Sequence, residues 1–229
     1  MSSIIEKEKL YTWNEGMTYK FVKKKGIPRN IETLVLETIS PKFVGRWSSY
    51  YSALGKPPTG ENSFPKQVYF EVPANNKIMF DFLGRSHHVK IVSERMLQFL
   101  KEQGLVENYE LATVEIVNRR GRKIETEKQY FALRFYGFDD DLLEFNNKVK
   151  VSQISFQNLK PLTFDLFPNL KVKKSVEKKI FASNHPTFKD ALVFTQEVRD
   201  LIAEKKFIGP NIYDMEELWQ AFVDEKPVY

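Results

Sequence analysis

The chain has 229 residues, 42% hydrophobic and 14% aromatic, with a formal net charge of +5; that is enough apolar material to bury a full core, which excludes a disordered chain. It contains no cysteine, which excludes disulfides and thiolate chemistry and agrees with a reducing compartment. No stretch approaches the roughly 20 apolar residues of a membrane span, and Glu6, Lys7, Glu8 and Lys9 fall where a signal peptide needs an apolar run, so the expectation is a cytoplasmic protein without a membrane partner.

Taken in chain order, the first strand expected is Ile31 to Leu36. A loop-rich tract follows from Ser40 to Pro65, punctuated by Pro41, Gly45, Gly55, Pro57, Pro58 and Gly60, and would serve as a linker if there were two lobes. It also holds Trp47, Tyr50 and Tyr51 beside Arg46. That composition suits a protein interface, although a loop aromatic tucked under its own domain is the commoner outcome. Period-two alternation then marks strands at Val68, Phe70 and Val72, at Ala112, Val114 and Ile116, and at Phe131, Leu133 and Phe135. The last two flank Asn118 to Lys128, whose Arg120-Gly121 tip allows positive φ, so they are expected to pair as an antiparallel hairpin with a long basic loop. Further strands are expected near Ile78 to Phe82, Val149 to Phe156 and Ile180 to Ala182.

Three helices carry start signals. Ser93 caps a helix whose Met96, Phe99 and Leu100 share one face until Gly104 ends it, with Val92 and Leu97 at staple spacing. Thr195 caps a second, with Glu197 against the helix dipole and Val198, Leu201 and Ile202 repeating the apolar spacing before Gly209-Pro210. A third starts at Asp214, with Glu217 completing a capping box and Tyr213 and Leu218 a staple, and runs on through Trp219, Phe222 and Val223 to Pro227. The first two cassettes correspond residue by residue: Val92, Met96, Phe99, Leu100 and Leu105 answer Phe194, Val198, Leu201, Ile202 and Phe207. Duplication and convergence on one strand-to-helix pattern both account for this. The fold expected is α+β, mainly antiparallel, with about three amphipathic helices, in one unit over residues 1–229 that contains two similar lobes, 1–160 and 161–229; Pro161 to Asn169 is the second candidate boundary.

The charge is polarised. Residues 190–229 hold nine acids and four bases, which leaves the preceding body strongly basic, with runs at Lys23 to Lys25, Arg119 to Lys123 and Lys171 to Lys179. Asp139, Asp140, Asp141 and Glu144 form an acidic knot, read as a solvated turn after the Phe131 strand.

No reaction is legible. Only His87, His88 and His185 offer imidazoles, and adjacent histidines on a strand point to opposite faces, so no metal site is expected. Gly84-Arg85-Ser86-His87 lacks the flanking glycines of a nucleophile elbow and reads as a polar turn. Glycines 26, 55 and 60 are too far apart for a phosphate cradle, and the acidic knot lacks the ligand spacing and glycine of a calcium loop. No cofactor is expected. The Arg119 to Lys123 tip could grip phosphate, but the neighbouring Phe131 and Phe135 alternate inward rather than standing free to stack on bases, so nucleic acid is disfavoured as a partner.

Ile91 to Leu100, its later echo Leu192 to Val198 and the Phe164-Asp165-Leu166-Phe167 run between them resemble bacterial polymorphic-toxin immunity proteins, of the families called immunity protein 43 and immunity protein 11. The resemblance covers residues 78–210 and its motifs are structural, so no catalytic residue transfers. It implies a cytoplasmic protein, encoded beside a toxin delivered between competing bacteria, that binds the toxin and blocks it without chemistry of its own. On that reading the contact set nominated here is Asp139, Asp140, Asp141 and Glu144 with Trp47, Tyr50 and Tyr51, since acids and loop aromatics suit mimicry of a nucleic-acid substrate. Two rivals stand beside it: a nucleic-acid module built on the basic runs, and an enzyme assembled from Asp81, His88, Arg134 and His185.

Overall fold

Apolar residues on alternate positions of short β-branched runs make strands, and the computed structural model arranges those strands in sheets flanked, among the described residues, by two helices. It describes residues 9–14, 35–39, 47, 56–72, 78–86, 89–106, 108–154, 161–167, 169–173, 176–185, 188, 192–209 and 211–214. The strands are β1 (Leu10–Asn14), β2 (Val35–Leu36), β3 (Gln67–Val72), β4 (Phe82–Ser86), β5 (Val89–Ser93), β6 (Tyr109–Asn118), β7 (Tyr130–Phe135), β8 (Leu143–Asn146), β9 (Val149–Ile154), β10 (Pro161–Leu166), β11 (Asn169–Val172), β12 (Ile180–Ala182), β13 (Leu192–Thr195) and β14 (Asn211–Asp214). The helices are α1 (Glu94–Glu102) and α2 (Gln196–Glu204).

The fold is α+β. One sheet has the order β2-β3-β6-β7-β5-β4, another β12-β13-β1-β14, and β9–β10 and β8–β11 form two further pairs. Among the described residues every pairing is antiparallel except β3 with β6. The third expected helix, beyond Asp214, lies outside the described residues; Asp214 itself ends β14. The expected strand from Ile78 instead begins at Phe82, because the backbone amides of Asp81 and Phe82 turn to the carbonyl of Ile208. The β6–β7 hairpin forms as the alternation predicts, with Gly121 at φ 72° in its tip.

Alternation fails on β7. Its sheet is covered on both sides, so Tyr130, Ala132 and Arg134 are buried on one face and Leu133 and Phe135 on the other. α1 packs over β5 and β7, while Trp47 and Phe64, from the tract that reads as a linker, join Val68, Phe70 and Phe80 on the opposite face.

The correspondence of the two cassettes extends well past the helices. β4 pairs with β5, placing Phe82 opposite Val92, and β12 pairs with β13, placing Ile180 opposite Phe194. In both, the residue before the helix donates its backbone N–H to the residue before the first strand: Ser93 to Asp81 at 2.9 Å, Thr195 to Lys179 at 3.0 Å. Both helices end alike, with Leu105 N bonded to Leu100 O at 2.9 Å and Phe207 N to Ile202 O at 3.2 Å, each across a residue of positive φ, Gly104 at 85° and Lys206 at 53°. The sheets then close in the same order, β4-β5-β7-β6 and β12-β13-β1-β14. The inserted strand differs in origin: β7 follows β6 directly, whereas β1 comes from the opposite end of the chain.

The anticipated lobes are not separated. One core takes Phe82, Val92, Met96 and Phe99 from the first unit together with Trp13, Phe194, Val198 and Ile202 from the second. Trp13 stacks on Phe82 at 4.6 Å and meets Phe194 edge-on at 5.9 Å, and Arg95 of α1 donates to the carbonyl of Lys205 with its guanidinium 4.4 Å from the Phe207 ring. The sheets also draw on both sides of residue 160, since β1 lies between β13 and β14 and β8 pairs with β11.

Candidate functional site

The acidic knot sits between β7 and β8, where the chain leaves the six-stranded sheet. Asp139 is 6% exposed. Its Oδ1 takes an ion pair from Lys178 Nζ at 2.5 Å and its Oδ2 accepts from Ala182 N at 2.8 Å, while its own amide donates to Ala182 O at 2.8 Å. Asp140 accepts from Ser183 Oγ at 2.5 Å and from Asn184 N at 2.9 Å. The reading as a solvated turn is therefore corrected for these two residues: their carboxylates satisfy amides at the end of β12, a task that a buried acceptor performs best when paired. Asp141 is exposed, and Glu144, half-buried on β8, stands opposite Lys171 of β11 and accepts from Asn146 Nδ2 at 3.3 Å.

Trp47 lies in the interior, 2% exposed, edge-on to Phe64 at 5.0 Å. Arg134, itself buried, explains why. Its Nη1 donates to Trp47 O at 2.5 Å, its Nη2 to Asn62 O at 2.5 Å and its Nε to Glu110 Oε2 at 2.8 Å, while Glu110 Oε1 accepts from Phe64 N at 2.8 Å. The guanidinium fork thus ties Trp47 and the 62–64 segment to β6 and β7, and its charge is matched by Glu110. Trp47 is a core aromatic, not a surface one. Tyr50 and Tyr51 lie outside the described residues.

Those residues of the rival enzyme that are described are not brought together. Asp81, fully buried, accepts from Ser93 Oγ at 2.7 Å, Lys128 Nζ at 2.8 Å and Ile208 N at 2.8 Å. It lies beside the Ser93 end of β5, whereas Arg134 is opposite Val89 at the other end, a separation of about 13 Å at the rise of a strand. His185 belongs to a third cluster, stacked on Phe145 at 4.8 Å and edge-on to Phe167 at 4.8 Å. His88 lies outside the described residues. Burial holds the His185 imidazole below its ordinary value, with Lys148 acting the same way and Asp140 and Asp165 opposing. Burial, then the Asp81 carboxylate, raises the Tyr130 phenol, which stays protonated and donates to Phe80 O at 2.9 Å. Among the described residues no cluster of three or more His, Asp or Glu could hold a metal ion, and no helix is long and apolar enough to cross a membrane.

A second charged feature is the β6–β7 tip. Arg119, Arg120 and Arg122 are exposed there, on a loop fixed by its own backbone. Asn118 Oδ1 accepts from Arg120 N at 2.9 Å and from Arg122 N at 3.1 Å, and Asn118 N donates to Arg122 O at 2.9 Å. What the site offers is thus surface charge on rigid supports, with the interior polar groups spent on structure. A family model described as Immunity protein 43 matches residues 20–225.

The chain belongs to the immunity protein 43 family. The match reaches beyond residues 78–210, where the resemblance was legible, and takes in the aromatic tract and the third expected helix. Membership in an immunity protein family points to a toxin-neutralising role and to a toxin as partner. No curated protein matches the chain. Sequence reasoning placed Asp139 and Asp140 at the surface, nominated Trp47 as a contact while giving burial as the commoner outcome for such a loop aromatic, and missed the Arg134–Glu110 fork; the buried arginine follows an alternation that looks half-exposed until both faces of β7 are known to be covered.

Proposed function

We propose that this immunity protein binds a cognate bacterial toxin in the cytoplasm and neutralises it by covering the toxin's active or target-binding surface. The observation that carries the reading is the family match over residues 20–225. The interior polar network agrees with it: Asp81, Arg134, Asp139 and Asp140 are committed to holding the scaffold. A scaffold of this kind acts by shape and charge, through an interface of about 1,600 Å² in which a few anchors supply most of the energy. The whole chain acts as one unit in this reading and transforms no substrate.

Of the nominated contact set, burial withdraws Trp47 and Asp139, and the bonds to Ser183 and Asn184 withdraw Asp140. Asp141 and Glu144, with Tyr50 and Tyr51, remain as the proposed acidic contact to basic groups of the toxin. The test is rescue of cells that express the neighbouring toxic domain, together with binding of the purified pair. Rescue and a stable complex are expected; a chain that neither rescues nor binds would remove the reading. Reversing charge in Asp141→Lys with Glu144→Lys should slow association and weaken its salt dependence, and unchanged rates would remove those two residues alone.

A further inference from the structure

Resting on the toxin-binding reading, we infer that the β6–β7 tip is a preorganised arginine contact that meets acidic side chains on the toxin. Arg119, Arg120 and Arg122 project from the end of the hairpin, and no carboxylate pairs with them among the described residues. The neighbouring Lys123 meets Glu125 only at 3.8 Å, with both side chains exposed, a pair of little strength in water.

The tip is built to hold its shape. Besides the two bonds to Asn118 Oδ1, Gly121 N donates to Asn118 O at 2.8 Å, Ile124 N donates to Ile116 O at 2.8 Å, and Val117 bridges to Lys123. Gly121 adopts φ 72°, and a Cβ there would fall 2.3 Å from Ile39 Cγ2; the 37–39 segment therefore braces the tip from outside. Ile124 packs against the core that holds Trp47, Phe64 and Phe80. With the backbone ordered beforehand, association costs only the rotamer freedom of the arginines, which is the condition under which arginine serves as an anchor.

The sheet face running up to this tip decides between protein and nucleic acid. α1 packs on β5 and β7, and the same face continues over β6 and β3 toward the tip. There Leu111 is 44% exposed, Tyr69 lies beside Glu115 in the parallel register, and Glu71 follows on the same strand face. Neither Glu71 nor Glu115 pairs with a cation among the described residues. Glu71 and Glu115, half-buried on the strands that lead to the arginines, oppose a phosphate backbone, and Tyr130 and Phe135 of β7 are buried, so those two rings are not presented for base stacking. A protein surface carries both signs and apolar side chains at once, and matches this mixture.

The experiment measures binding of the full chain to the catalytically inactivated toxic domain encoded beside it, at low and at physiological salt, for the wild type and for R119Q/R120Q/R122Q. The glutamine variant should bind at least about tenfold more weakly, with slower association and a shallower salt dependence, and its thermal unfolding should match the wild type. R119K/R120K/R122K, which keeps the charge and removes the planar fork, should fall between the two. Wild-type binding with an unchanged glutamine variant overturns the tip contact and leaves the toxin reading standing; a wild type that fails to bind overturns both. A single-stranded oligonucleotide bound as tightly as the toxic domain, and released by the glutamine substitutions, would make the tip a nucleic-acid contact and overturn the inference too.

Discussion

Ser93 Oγ donates to Asp81 Oδ1 at 2.7 Å and accepts from Met96 N at 3.2 Å, so one hydroxyl closes the first turn of α1 and satisfies a buried carboxylate together. At the corresponding place in the second unit Thr195 Oγ1 makes no bond to the first turn of α2, and Lys179 stands where Asp81 does. Ser93→Ala should therefore cost about 1–2 kcal/mol, and Thr195→Ala distinctly less. Urea denaturation of the two variants measures this, and equal losses would show that Thr195 caps after all.

The left-handed positions after the helices predict opposite effects of exchange. Gly104 adopts φ 85° and Lys206 φ 53° in the same terminating turn, but only glycine is free of the Cβ penalty there. Lys206→Gly should raise stability by up to about 1 kcal/mol, and Gly104→Ala should lower it by about 1 kcal/mol. A Lys206→Gly variant that melts earlier than the wild type contradicts the assignment.

Arg134→Ala leaves Glu110 without its charge partner and frees the carbonyls of Trp47 and Asn62. The expected loss is about 3–5 kcal/mol, the scale for breaking a buried pair. With Trp13 and Trp219 replaced by phenylalanine in variant and reference alike, Trp47 fluorescence should report the local release ahead of global unfolding, since the ring packs against Phe64 at 5.0 Å beneath that guanidinium. A red shift no earlier than the loss of circular dichroism would tell against it.

His185 gives a pH signature. Its folded-state value is depressed from 6.5 by burial, so the unfolded chain binds the proton more readily. The stabilisation is fully present above about that value and is lost as the pH falls from there through the folded-state value. His185→Gln should remove this part of the acid sensitivity, narrowing the difference between urea midpoints measured at neutral pH and at mildly acidic pH. Parallel midpoint curves for variant and wild type would exclude the histidine as a contributor.

Local chemistry was readable in the amino acids and long-range pairing was not. The Ser93 cap, the glycine-tipped hairpin and the Ile180–Ala182 strand depend on neighbours a few residues away, and all three appear as expected. The parallel β3–β6 pair, the place of β1 and the burial of Arg134 depend on what lies across the sheet. Asp139 and Asp140 read as solvent-facing because the amides and hydroxyl they satisfy come from residues 182–184, more than forty positions later. Trp47 looked suited to an interface, since loop composition alone does not distinguish an anchor for another molecule from an anchor for its own core.

The central position of β1 carries a consequence for biogenesis. Its Thr12 Oγ1 bonds to Leu192 O, 180 residues away, and its two flanking strands, β13 and β14, both lie far downstream of it. β1 must therefore stay unpaired until that long intervening stretch has been made. Closure across such a separation is slow in folding terms, so newly made copies pass through a vulnerable interval in which the second sheet has a vacant middle row, open to proteolysis or to exchange with another nascent copy.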